Sequence, residues 1–208
     1  NDVNLSEAAF GLGAGLFFVG YIIFEVPSNL VLEKVGAKIW IARIMITWGI
    51  LSGLTMFVTT PMQFYALRFL LGAAEAGFLP GVLYYLTTWF PTYYRAKIIA
   101  LFMIGLPLAV IIGSPLSGWI MTTFDQVYGW AGWQWLFFLE ALPSVILGIL
   151  TFKMLPNHFS KAKWLNDAEK SIIEKNLNKD LEGNDSAKQK HSFKDGFFNT
   201  NILKLGAI

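Results

Sequence analysis

The 208 residues contain no cysteine. This excludes disulfides, thiolate metal sites and cysteine nucleophiles, and it leaves the redox compartment open. Charge is also scarce: Asp, Glu, Lys and Arg make up 14% of the chain, against about 25% in an ordinary soluble domain. A net charge of +2 is too weak to argue for a nucleic-acid partner. Histidine occurs only as His158 and His191, without metal-ligand spacing, so no metal is expected. No G-x-x-x-x-G-K-[ST] phosphate loop is present, which argues against an ATP-driven pump. "GLGAGLFFVG" opens no strand–helix unit and lies in an apolar run, so no nucleotide cofactor is expected. No nucleophile–base pair or paired catalytic acids appear, so the chain does not read as an enzyme.

What is abundant is apolar surface, 55% of residues. Residues 1–155 hold seven basic and seven acidic side chains, whereas residues 156–208 hold nine and seven in a third of the length. The first part reads as a membrane bundle. Residues 156–200 read as a solvated loop, and 201–208 as the start of another apolar span. A membrane-crossing helix needs about 20 mainly apolar residues. Five segments qualify: Phe10 to Leu32, Ile39 to Thr59, Met62 to Phe90, Ile98 to Phe124 and Trp133 to Leu155. The fold class is therefore all-α, in lipid. The chain begins at Asn1 with a polar "NDVNLSEA", no signal-peptide pattern, and both ends read as cut. Lys34 and Lys38, Arg95 and Lys97, and Lys153, Lys161 and Lys163 fall in alternate connections, while the opposite connections carry no base. The positive-inside rule makes the basic connections, and the loop after the fifth span, cytoplasmic.

Small residues four apart (Gly11 and Gly15, Gly49 and Gly53, Gly77 and Gly81, Ser114 and Gly118) are expected at close helix contacts. Pro27, Pro80, Pro107 and Pro115 lie inside spans and are expected to kink or locally unwind them. The stretch "RFLLGAAEAGFLPG" places Arg68 and Glu75 in one span. Seven helical residues advance about 10.5 Å and return to nearly the same face, so the two share a stripe without pairing directly. Arg68 is near enough to one end to snorkel to the surface. Glu75 is near mid-span, where an ionised acid costs a few kcal/mol. It has to face other helices or a water-filled cavity, and a carboxyl group in such a place can take up and release a proton. Gly72, Ala73, Ala74, Ala76 and Gly77 around it imply a cavity or close helix contact.

These residues resemble the anion:cation symporter branch of the major facilitator superfamily. "FFVGYIIFEVPSNLVLEKVGAKIWIARIMITWG" is similar to that branch's second and third helices, "RFLLGAAEAGFLPG" to its fourth, "WQWLFFLEALPS" to its sixth and "AKWLNDAEK" to the start of its central loop. The resemblance implies a bundle in which the five spans are helices two to six, followed by the start of the seventh. It also implies alternating access about a midplane site. Carried over by position, it implies that Glu75 takes a coupling proton, that Arg68 tunes that acid and the anion site, and that Tyr21 faces the substrate. The loop motif G-x-x-x-D-R-x-G-R-R corresponds to "NLVLEKVGAK", with Asn29, Glu33, Lys34, Ala37 and Lys38 at departing or partly kept positions. The resemblance implies a cytoplasmic gate of Glu33, Lys34 and Arg95; ordinary interfacial charges are the alternative. The family's helix-one Asp-Arg pair has no counterpart here.

The function implied is proton-coupled symport of a small organic anion, a carboxylate, across a bacterial inner membrane. "FEVPSN" resembles tartrate, phthalate and hydroxyphenylacetate carriers more than sugar-acid carriers. The expected partners are that anion, protons and the lipid bilayer. A transporter-like sensor or scaffold without net flux is the alternative. Glu25 anchors the gate or caps a kink at Pro27, and Glu140 reads as structural. In the loop, Asn166 with Glu169 three residues on forms a capping box. Ile173, Leu177 and Leu181 then give an apolar stripe on a short helix, followed by a polar "EGNDSAKQKHS". His158 and His191 read as solvated loop residues.

Overall fold

The computed structural model describes residues 6–183. Helix α1 spans Glu7–Val35, α2 Ala37–Leu54, α3 Pro61–Glu75, α4 Phe78–Thr87, α5 Thr92–Thr123, α6 Gly132–Met154 and α7 Asp167–Gly183. No strand occurs among the described residues. Glu7–Val35, Ala37–Phe57, Pro61–Thr87, Thr92–Thr123 and Gly132–Met154 are the five spans long and apolar enough to cross a membrane. They match the five read from the sequence. The fold is an all-α membrane bundle.

Local chemistry sets the ends. The Ser6 hydroxyl accepts from Ala9 N (3.1 Å) and starts α1. Thr60 and Gln63 form a capping box around Pro61. Asn157 Oδ1 accepts from Lys38 N (2.9 Å) in the first turn of α2. Gly36, at φ +89°, makes the turn between α1 and α2. α5 begins at Thr92, six residues before the expected Ile98, so most of "PTYYRAK" is helical rather than loop. The extended backbone of Pro91 sets the start, and an acceptor-only proline is well suited to a position whose N–H has no intrahelical partner.

Two helix pairs carry the closest packing. α1 crosses α3 where Gly20 lies against the Phe69 carbonyl and Gly72 against the Phe17 carbonyl. Any side chain there would strike backbone, so only glycine allows the approach. α2 packs on α6 through Gly49 against Val145 (2.8 Å to an added Cβ), Gly53 against Ala141 (3.1 Å) and Gly148 against Ile46 (2.7 Å). Gln134 Nε2 donates to Met56 O (2.7 Å) and the Ser144 hydroxyl to Met45 O (3.1 Å) across the same interface. The glycine spacing is thus a mixed guide. Gly49, Gly53, Gly77 and Gly81 meet neighbours, but Gly11, Gly15 and Gly118 meet nothing within 4 Å. Those three point away from the other described helices.

The third span is not one helix. The expected run from Met62 to Phe90 divides into α3 and α4 at Ala76 (φ −52°, ψ 129°) and Gly77 (φ +85°). Pro27, Pro107 and Pro115, by contrast, lie inside helices that run on.

After α6 the chain does not leave as a free loop. Pro156 O accepts from the Tyr85 hydroxyl (2.9 Å), Phe159 and Ala162 are buried, and Trp164 stacks on Trp89 (6.0 Å, 11°). Residues 156–164 form a strap fastened to α2 and α4. His158 is exposed, as expected, and its Nδ1 lies 2.9 Å from the Ser160 hydroxyl at a short turn.

The chain divides into two compact units, the second beginning at Asn166, and there α7 starts with the expected capping box. Glu169 N donates to Asn166 Oδ1 (2.8 Å) and Asn166 N to Glu169 Oε2 (2.8 Å). Ile173 and Leu177 are less exposed than their neighbours. The side chain of Leu181, most of the polar stretch, His191 and residues 201–208 lie outside the described residues.

Candidate functional site

Glu75 is the last residue of α3, at the break in the third span. It is half-buried. Its neighbours settle what the small residues are for: Gly72, Ala74 and Ala76 are buried in close helix contact, with Ala76 at 0% exposure. An added Cβ at Gly72 would lie 3.0 Å from Tyr21 N, so α1 presses on α3 one turn before the acid.

The break has a readable chemical cause. Pro80 lacks the N–H that would bond to the carbonyl four residues earlier, at Ala76. Gly77 supplies the left-handed conformation that lets the chain restart. The Ala76 carbonyl is not left bare: the buried Ser28 hydroxyl donates to it (2.6 Å), and Trp40 Nε1 donates to that same Ser28 oxygen (2.9 Å). Gly77 lies directly against Ser28 and leaves no room for a side chain.

The structure places the other expected site residues as follows. Tyr21 in α1 is half-buried, stands 6.2 Å from Phe17 ring to ring, and lies within electrostatic reach of Glu25 and Glu75. Tyr21 and Glu75 therefore share a neighbourhood. Arg68 does not join them as an ion pair; its guanidinium lies over the Phe64 ring (5.0 Å), one turn back toward the start of α3. Glu33 and Lys34 are exposed in the last turn of α1 and line a groove of about 400 Å³ with Tyr84, Asn157 and His158. Arg95 turns elsewhere, with Nη2 donating to Phe90 O (3.2 Å). Among the described residues no ion pair joins Glu33, Lys34 and Arg95. Glu140 accepts from the Ser117 hydroxyl (2.6 Å) and so ties α6 to α5.

Sequence reasoning passed over Arg43. It lies in α2 within "KIWIARIMITWG", half-buried, over the Trp40 ring at 3.9 Å, with Nη1 3.5 Å from Ala74 O. A base inside an apolar run was signal enough, but the charge pattern of the connections drew attention to the helix ends.

Comparison with known proteins adds four findings. The model of the Major Facilitator Superfamily matches residues 1–205. A Pseudomonas putida protein named for metabolite transport, NicT, is 70% identical over 208 residues, covering 100% of this chain and 47% of its own length. An Agrobacterium vitis protein named as a tartrate transporter is 49% identical over 207 residues, covering 100% of this chain and 45% of its own. The chain thus spans about half the length of the curated relatives it matches. Among solved structures, a bacterial homologue of the human lysosomal transporter Spinster, inward-facing and occupied, aligns with a TM-score of 0.65 at 20% identity. It covers 77% of this chain and 40% of that one, and shows the fold alone.

Proposed function

Because the chain belongs to the Major Facilitator Superfamily, we propose that it forms part of a secondary active transporter moving a small organic anion together with protons by alternating access. The observation that carries this reading is Glu75, an acid at the point where a membrane span is interrupted. An interrupted span is where transporters of this kind of architecture hold substrates and ions. An acid at such depth is expensive unless it works. Tyr21 lies near enough to share the site, and Arg68, on the same stripe, supplies a cation toward the start of α3 for an anionic substrate. The likeness to a relative named for tartrate transport favours a carboxylate.

In this reading the protein sits in a bacterial inner membrane with its basic connections in the cytoplasm. Glu33, Lys34 and Arg95 meet there in a different state of the cycle from the one described. Protonation of Glu75 offsets substrate charge while the site is closed to both sides.

The test uses the full-length transporter in proteoliposomes with labelled tartrate as probe. Glu75→Gln is expected to abolish accumulation driven by a pH gradient while tartrate exchange persists. Normal accumulation by that variant would remove Glu75 as the coupling site. Tartrate binding without flux in the parent protein would turn the reading toward a sensor.

A further inference from the structure

The peptide groups on the two sides of Glu75 are tied to two different helices. On one side, Ala74 O receives Arg43 Nη1 from α2 (3.5 Å). On the other, Ala76 O receives the Ser28 hydroxyl from α1 (2.6 Å), and Trp40 of α2 donates to that hydroxyl (2.9 Å). Trp40 also carries the Arg43 guanidinium on its ring face (3.9 Å). The three side chains thus form one connected group around the acid, with Arg43 and Ser28 each taking a carbonyl at the α3 terminus.

The energetics favour this arrangement. A broken helix leaves its last carbonyls without partners, and each one kept from water is costly. The end of α3 is also the negative end of its dipole, where a cation is stabilised. Arg43 meets both needs with one side chain. Its Nε is buried and has no hydrogen-bond partner among the described residues, a cost set against those two gains. Thr47 helps hold the side chain, with its oxygen 3.5 Å from Nη1.

We propose that Arg43, with Trp40 and Ser28, is a positioning residue for proton coupling. Arg43 holds the end of α3 so that the Glu75 carboxyl group is aimed by α1 and α2 together. A shift of α1 or α2 against the third span then moves the acid directly. The groups facing this region are Tyr21 from α1, with Glu25 within reach of it, and Arg43 from α2; Arg68 lies about two turns back along α3 over Phe64, and α4 contributes no charged residue. The proposal rests on the reading of Glu75 as the coupling acid, but its position can be tested without that reading.

Two measurements on the full-length protein decide it. In proteoliposomes with tartrate as probe, Arg43→Gln is expected to lower pH-driven accumulation about tenfold, the scale of one lost charge-assisted hydrogen bond. It should also shift the pH of half-maximal uptake and leave the KM for tartrate exchange nearly unchanged. Arg43→Lys should restore part of the accumulation. Equal losses of accumulation and exchange with an unmoved pH profile would mean a merely structural role and overturn the proposal. The second measurement is the alkylation rate of Glu75→Cys in membranes, with any cysteine outside these 208 residues replaced by serine; the 208 residues themselves hold none. Adding Arg43→Gln should change that rate even if Glu75 carries no proton; an unchanged rate overturns the clasp. Coupling that survives Glu75→Gln while the alkylation rate responds to Arg43→Gln would reject the function of the acid and keep its positioning.

Discussion

The third span and α5 carry similar local sequence but end up differently. Each has prolines closely preceded by glycine: Gly77 before Pro80, Gly105 before Pro107 and Gly113 before Pro115. Only Gly77 takes a positive φ, and only there does the helix part. α5 runs unbroken from Thr92 to Thr123 over two prolines. What differs is the surroundings. Gly77 lies against Ser28, and the freed carbonyls beside it receive Ser28 and Arg43. Gly105 and Gly113 meet nothing within 4 Å, and Ile120 is the one buried residue of α5. A proline weakens a helix, but here the neighbours decide whether it divides.

The largest effect should come from the crossing that presses α1 onto the broken span. Gly72→Ala puts a methyl group into the Phe17 carbonyl, an overpacking that costs about 1–3 kcal/mol or more. Gly113→Ala, on the open side of α5, should be neutral or gain up to about 1 kcal/mol of helix preference. Thermal stability of the detergent-solubilised protein, read by fluorescence-detected size exclusion, compares the two. Equal effects would mean that the crossing is not what holds the break.

Next in size is the hydroxyl at the break. Ser28→Ala strands a buried carbonyl and the Trp40 N–H, for about 1–3 kcal/mol. Ser117→Ala removes one hydrogen bond between two spans, of a kind that averages about 0.6 kcal/mol in membranes, and should cost under about 1 kcal/mol. The same thermal assay reads both. Similar costs would weaken the claim that the surroundings distinguish the two spans.

The smallest effect is the most pointed. Pro80→Ala returns an N–H to α4, yet Gly77 and Ser28 still hold the break, so stability should change by less than about 1 kcal/mol. Spin labels on Leu70→Cys and Tyr84→Cys, both exposed, should report an unchanged distance with Pro80→Ala. The distance should change only when Gly77→Ala is added. If Pro80→Ala alone straightens the span, the proline was sufficient and the contrast with α5 disappears.

The five spans could be read in advance because lipid demands long apolar runs, which composition reveals directly. The capping box at Asn166 was equally legible, since its chemistry is local. The break was foreshadowed by Gly77 and Pro80 but not fixed by them, because α5 shows the same residue types passing through intact. Arg43 and Ser28 meet Ala74 and Ala76 across gaps of 31 and 48 residues. No window over one span could join them. The glycine rule looked within single helices and so named Gly11 and Gly15. The tightest contact instead uses Gly20 and Gly72, one from each helix. The strap was missed because Asn157 and Trp164 stand in a stretch that reads as polar loop, and their partners lie in α2 and just past the end of α4.

That strap has a mechanical consequence. Asn157 grips the first turn of α2, Pro156 is held by a tyrosine of α4, and the indole at 164 is laid flat on another. The chain is therefore tied to the bundle as far as residue 164. A pull on the strap would be delivered to the root of α2 at Lys38, about one and a half turns from Arg43.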